Sequence, residues 1–194
     1  MLTDTITKLI DNHPLLIFST NQYGETPLHV ATIKDHHTIA QTLIENSSKL
    51  NTPVTKDFWK GYSPLQIAAK EGRAIIAQAL IDAGAQINIS LTNGSFNGYT
   101  PLHWATRCHH KVIVEMLINA NADLTARNSL GITPLHIAVS EDRLDIVNEF
   151  LKAKINLNQT ISKGLLKGYS PLSIAIYYNY TDIEAALRHA GATK

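Results

Sequence analysis

The sequence predicts an all-α repeat solenoid, and two observations carry that prediction. The tetrapeptide Thr-Pro-Leu-His occurs at Thr26–His29, Thr100–His103 and Thr133–His136, with degraded copies at Ser63-Pro64-Leu65-Gln66 and Ser170-Pro171-Leu172-Ser173. A glycine stands two residues before each copy, at Gly24, Gly61, Gly98, Gly131 and Gly168, so the steps are 37, 37, 33 and 37 residues. Self-similarity at such a period marks supersecondary units that bury a shared core only by stacking. Each unit touches only its neighbours, so the product is a long curved surface and not a closed catalytic pocket.

Taken from the N-terminus, residues 4–12 read as a lone second helix with Ile6, Leu9 and Ile10 inward and Thr7 and Asp11 outward, and residues 1–20 as a cap. Each repeat then opens at its glycine. In the repeat from Gly98, Thr100 is a good N-cap, and Pro101 suits the first helical position because its missing N–H would be unpaired there anyway. Leu102 and the small Ala105 face inward. His109 stands where the helix must break, as do Asp35, Gly72, Asp142 and Asn179 in the other copies; these residue types tolerate left-handed backbone. A second helix follows with Val112, Ile113, Met116 and Leu117 at helical spacing. Aligned on Ile39, Ile76, Ile113, Ile146 and Ile183, the next position is Ala40, Ala77, Val114, Val147 and then Glu184; five after the isoleucine stand Ile44, Ile81, Ile118, Leu151 and then Arg188. The late turn to polar residues is what a terminal repeat requires. The expected organisation is one domain over residues 1–194: a half-repeat cap, four repeats and a capping fifth, complete as a folding unit.

The pattern Gly-x-[Thr/Ser]-Pro-Leu-His-x-Ala, a Gly or Asn turn, an Ile-x-x-x-Leu second helix and the exit Gly84-Ala85-Gln86-Ile87-Asn88 resemble the ankyrin repeat over nearly the whole chain. The resemblance implies antiparallel helix pairs joined by β-hairpin fingers at right angles to them. It also implies a protein-binding face made of the fingers and the ends of the first helices. On the matching positions, that face holds Tyr23, Trp59, Tyr62, Phe96, Tyr99, Leu130, Ile132, Leu166 and Tyr169 from the fingers, and Arg107, Cys108, Tyr177 and Tyr178 from the helices. Aromatic residues and Arg are what interface cores favour. For Tyr62, Tyr99 and Tyr169 a second reading stands beside this one, in which they stack on one another and glue the fingers.

Three of the four steps carry four extra residues, all between a repeat exit and the next glycine. They contain the turn pairs Lys56-Asp57, Asn93-Gly94 and Lys163-Gly164, then Phe58-Trp59, Ser95-Phe96 or Leu165-Leu166. This reads as three lengthened hairpins. Surface loops tolerate insertion cheaply, but an indifferent loop has no reason to keep a large apolar residue at one exposed place. The short finger before Gly131 sits between long ones, and at a helix spacing of about 8–10 Å it leaves a gap on the order of 20 Å between Phe96 and Leu166, floored by Leu130 and Ile132.

Composition narrows the function classes. Net charge is +1, with no Lys/Arg stripe for a phosphate backbone, so nucleic acid is not the expected partner. One cysteine, Cys108, excludes an internal disulfide and fits a reducing compartment. No basic leader with an apolar core and no long apolar run points to export or a membrane. The repeated histidines lie 33 or more residues apart, and His36-His37 and His109-His110 have no acidic or Cys companions at ligand spacing. Cys108 and His109 are adjacent on a turn with no third orienting group, which does not make a nucleophile. Asn51, Asn88 and Asn158 at the repeat exits resemble positions hydroxylated in ankyrin proteins, though Gln86 and Leu50 replace the usual acid at two of them. The expected protein is a non-enzymatic module with no cofactor or metal. It binds a protein partner in the cytoplasm and is a monomer when unbound. The alternative is an effector or regulatory subunit that modulates an enzyme, in which case a host cell's cytoplasm is the expected site.

Overall fold

The computed structural model describes the backbone of residues 2–47 and 49–193, and the side chains of all of these but 2–4 and 6. Among the described residues eleven α-helices follow one another: α1 (Leu2–Asn12), α2 (Pro27–Ile33), α3 (His37–Glu45), α4 (Pro64–Glu71), α5 (Ala74–Asp82), α6 (Pro101–Arg107), α7 (Lys111–Asn119), α8 (Pro134–Ser140), α9 (Leu144–Lys152), α10 (Pro171–Tyr177) and α11 (Thr181–His189). Even-numbered helices pack on even-numbered neighbours, the odd-numbered helices from α3 to α11 form a second layer, and each pair closes on itself. This is a two-layered helical repeat solenoid. The core is continuous along it, because residues such as Leu65, Leu102, Leu135, Leu172, Ile76, Ile113, Ile146 and Ile183 are all buried between layers.

The start of each first helix is built as the sequence predicts. Thr100 caps α6: its hydroxyl accepts from the His103 N–H (3.4 Å), while its own N–H donates to His103 Nδ1 (3.2 Å). Pro101 follows in the first turn. Four of the five first helices have this reciprocal box, with Gln66 replacing His in α4; in α10 Ser173 is too short to reach back. The helix-to-helix turns carry positive φ at Asp35, Gly72, His109, Asp142 and Asn179, where the sequence places them. Ala31, Ala68, Ala105, Ala138 and Ala175 are all buried, and their small size lets the first helices approach.

A second set of bonds runs between repeats. His103 Nε2 donates to the carbonyl of Ile132 in the next finger (3.2 Å), and Gln66 Nε2 donates likewise to Tyr99 (3.1 Å). With Nε2 donating, Nδ1 is free to accept the capping bonds. Burial lowers His29, His103 and His136 to about 4, so these rings are neutral at neutral pH. The exit asparagines have a structural use as well: Asn51, Asn88 and Asn158 each accept, through Oδ1, the N–H of a residue 35 positions on (2.8, 2.8 and 2.9 Å).

Several expectations are corrected. No described residue forms a strand, and the long fingers consist of turns where extended strands were expected. Each is closed at its base by two backbone bonds, as in Val54 N–H to Tyr62 O and Gly61 N–H to Val54 O. Between them the four extra residues form turn bonds such as Lys60 N–H to Asp57 O, followed by Tyr62 N–H to Trp59 O. The insertion coils instead of extending, because Val54, Leu91 and Ile161 at the loop bases are buried and pull the chain inward. In the short fingers Asn21 and Asn128 stand at that base position and cap the loop with Oδ1. At the N-terminus α1 packs on α3 with Ile10 buried, but Leu9 is 52% exposed and not inward; Ile6 lies outside the described side chains. Val112 is exposed as well. The outward pair Glu184 and Arg188 form an ion pair on α11 (2.8 Å).

Candidate functional site

Most of the side chains expected on the binding face lie in two aromatic clusters. The first joins the finger over residues 54–62, the finger over 91–99, and α6. Its floor is Trp104, fully buried where the other first helices have Val30, Ile67, Ile137 and Ile174. Ring centroids of Tyr62, Phe96 and Tyr99 lie 5.6, 4.6 and 5.0 Å from that of Trp104. Tyr62 and Tyr99 are buried beneath the face instead of presented on it, while Trp59 and Phe96 are half-buried against the core. Tyr62, Tyr99 and Tyr169 thus do not form one stack: the first two pack on Trp104, and Tyr169 packs on Tyr177 (5.6 Å).

Lys70, at the end of α4, enters this cluster. Its Nζ lies 4.4 Å from the ring centroid of Phe58, 4.5 Å from Trp59, 5.0 Å from Trp104 and 5.4 Å from Tyr62. Four rings around one ammonium form an aromatic cage whose electron-rich faces hold the charge. Burial lowers the Lys70 amine from its ordinary value. Arg107 sits over Phe96 (5.9 Å) and pairs with Glu141 (3.9 Å). Cys108 is half-buried, and burial pushes its thiol up although Lys70 and Arg107 act the other way. That is the reverse of an activated nucleophile.

The second cluster lies around α10. Tyr177 and Tyr178 are exposed, 4.9 Å apart, and Tyr178 stacks on Tyr180 (5.6 Å). Together with Leu130, Ile132, Leu165 and Leu166 they line a groove of about 490 Å³. Phe96 is folded onto Trp104 and does not wall it, so the expected two-sided gap is one-sided. Tyr23 stands exposed on the first finger. A depression of about 760 Å³ lies on the second-helix side, between α3, α5 and α7, and no aromatic residue lines it.

Sequence reasoning missed Phe58, 75% exposed, and Leu165, fully exposed. They immediately precede Trp59 and Leu166. The turn that closes on Tyr62 or Tyr169 rotates Trp59 and Leu166 inward and their predecessors outward, and only the coiling of the loop sets that phase. Repeating helix pairs, with His-Thr capping boxes and stacked fingers, bear on what the chain is. A family model described as ankyrin repeats (3 copies) matches residues 2–91, 48–128 and 88–161.

The chain belongs to the ankyrin repeat family. No curated protein matches it. Ankyrin repeats are generally protein–protein interaction modules and typically carry no catalytic activity. Among the described residues no helix is long and apolar enough to cross a membrane.

Proposed function

We propose that this ankyrin chain is a non-enzymatic module that binds a partner protein through its finger loops and the ends of its first helices. One observation carries the reading: Tyr23, Phe58, Leu130, Leu165, Tyr177 and Tyr178, all large and exposed, stand on finger loops or at a first-helix end. Scattered apolar residues on a surface need no explanation, but these recur at finger loops and first-helix ends, and Leu130, Leu165, Tyr177 and Tyr178 line one groove, which supports a partner-binding face. The neighbouring Trp59, Phe96, Ile132, Leu166 and Tyr169 support it as a firm base, and Arg107 adds a donor fork at the rim.

The test is affinity capture with three chains: the natural one, Phe58→Asp/Tyr177→Asp on the proposed face, and Ile75→Asp/Val112→Asp on the second-helix side. All four positions are exposed, so the fold should survive, as circular dichroism would verify. A protein retained by the first and third chains but not the second supports the reading. True anchors commonly cost about 2 kcal/mol, or roughly 30-fold in affinity. Equal retention by the second chain, or equal loss with the third, refutes it.

A further inference from the structure

We propose that the groove beside the short finger receives a partner segment in which a large apolar side chain stands next to carboxylates. This rests on the protein-binding reading above and adds the chemistry of the partner. The groove is a consequence of the uneven spacing. The finger before Gly131 lacks four residues, so it has no inward-folded side chain equivalent to Trp59, Phe96 or Leu166. The space is left open, with Leu130 and Ile132 at its base and Leu165, Leu166, Tyr177 and Tyr178 at its sides.

The groove is held in shape by hydrogen bonds within the chain. Asn128 Oδ1 accepts the N–H groups of Leu130 (3.0 Å) and Ile132 (2.9 Å), which fixes the short loop. The Leu130 carbonyl accepts from Ser162 (2.8 Å) and Lys163 (3.0 Å), which ties the long finger to it. Arg127 secures the same junction from below through Thr160 O and Ser162 Oγ. A preformed site avoids the ordering cost of binding.

Charge identifies the occupant. Among the described residues Lys163 is the only charged one lining the groove, and no carboxylate lines it. Lys167 is on the same loop, and neither lysine has an ion pair among the described residues. Across the finger loops at 51–61, 88–98, 125–131 and 158–168, the charged residues are Lys56, Lys60, Arg127, Lys163 and Lys167 against Asp57 alone. A chain of net charge +1 therefore presents a basic stretch of the face at its second to fifth fingers, while Glu25, Glu71 and Glu141 lie on the first finger and the first-helix ends. Such a face favours acidic partners and speeds their encounter.

The probe is a displayed library of random linear peptides, selected on the full chain. The expected peptides carry Phe, Trp or Leu beside Asp or Glu. Their affinity should fall by about tenfold or more with Leu165→Ser/Tyr177→Ser, and by several-fold with Lys163→Glu, the latter effect shrinking at high salt. Leu165 and Tyr177 are exposed, so loss of fold does not confound the result. Inserting Lys163-Gly164-Leu165-Leu166 between Asn128 and Ser129, which makes the short finger long, should abolish binding by filling the groove. Selected peptides without acids, or undiminished binding by the lengthened chain, overturn the proposal. If binding survives these changes but is lost with Phe58→Ser, the protein-binding face stands and the groove does not. A library that yields nothing overturns both.

Discussion

Lys70 shows how one residue can organise a surface. It is the ammonium on which the rings of one finger and a helix meet, and it lies 4.4 to 5.4 Å from four ring centroids. A cation over one ring is worth about 0.5–2 kcal/mol, depending on how far it is desolvated. Lys70 is half-buried, so the lower half of that range applies. Lys70→Met keeps the apolar stem and removes the charge. The expected result is a loss of about 1 kcal/mol, read as a lower denaturant midpoint at unchanged slope, with altered tryptophan fluorescence from Trp59 and Trp104. A midpoint and spectrum equal to those of the natural chain would mean that the rings hold their places without the cation.

At the scale of elements, the fingers behave as a stack of loops in backbone contact. Gly98 illustrates the constraint: its φ is +86°, and a methyl group there would come within 2.6 Å of Asn128 Cα. Gly168 has nearly the same φ, +85°, but nothing within 4 Å of that point. The two glycines therefore separate conformational strain from contact. Gly168→Ala should cost about 1–2 kcal/mol, the left-handed penalty alone. Gly98→Ala should cost at least about 1 kcal/mol more, because the short finger must also shift. Equal losses in denaturant unfolding would mean that the fingers are not in register contact.

For the whole molecule, the buried capping-box histidines give stability a pH dependence. His29, His103 and His136 have folded values of about 4, below the 6.5 of the free side chain. The unfolded chain therefore takes up these protons first as pH falls. Their contribution is complete above about pH 6.5, declines between 6.5 and 4, and is gone below the folded value. At 1.36 kcal/mol per pKa unit, each site contributes roughly 3 kcal/mol over that window. Gln66 makes both the capping bond and the inter-repeat bond without titrating. His103→Gln should thus fold at neutral pH and lose less stability than the natural chain between pH 6.5 and 4, measured by denaturant unfolding at stepped pH. An unchanged pH slope would place the sensitivity elsewhere.

Much of this was legible in the sequence. The period and the helix starts at Thr-Pro or Ser-Pro were readable there. So were the left-handed turns at Asp35, Gly72, His109, Asp142 and Asn179, and the shortness of the finger before Gly131. All of these obey rules that act within a few residues, such as caps, turns and apolar spacing. The tertiary structure alone decided what the extra four residues do. It coiled them, buried Tyr62 and Tyr99, and turned Phe58 and Leu165 outward. It also closed four rings around Lys70, and it folded Phe96 away from the groove that Leu130 and Ile132 floor. Those outcomes depend on Trp104, on the buried loop bases Val54, Leu91 and Ile161, and on carbonyls of the next finger, all brought near only by stacking. In a solenoid the sequence of one repeat determines its own helices, but which side chains reach the surface depends on the repeat beside it.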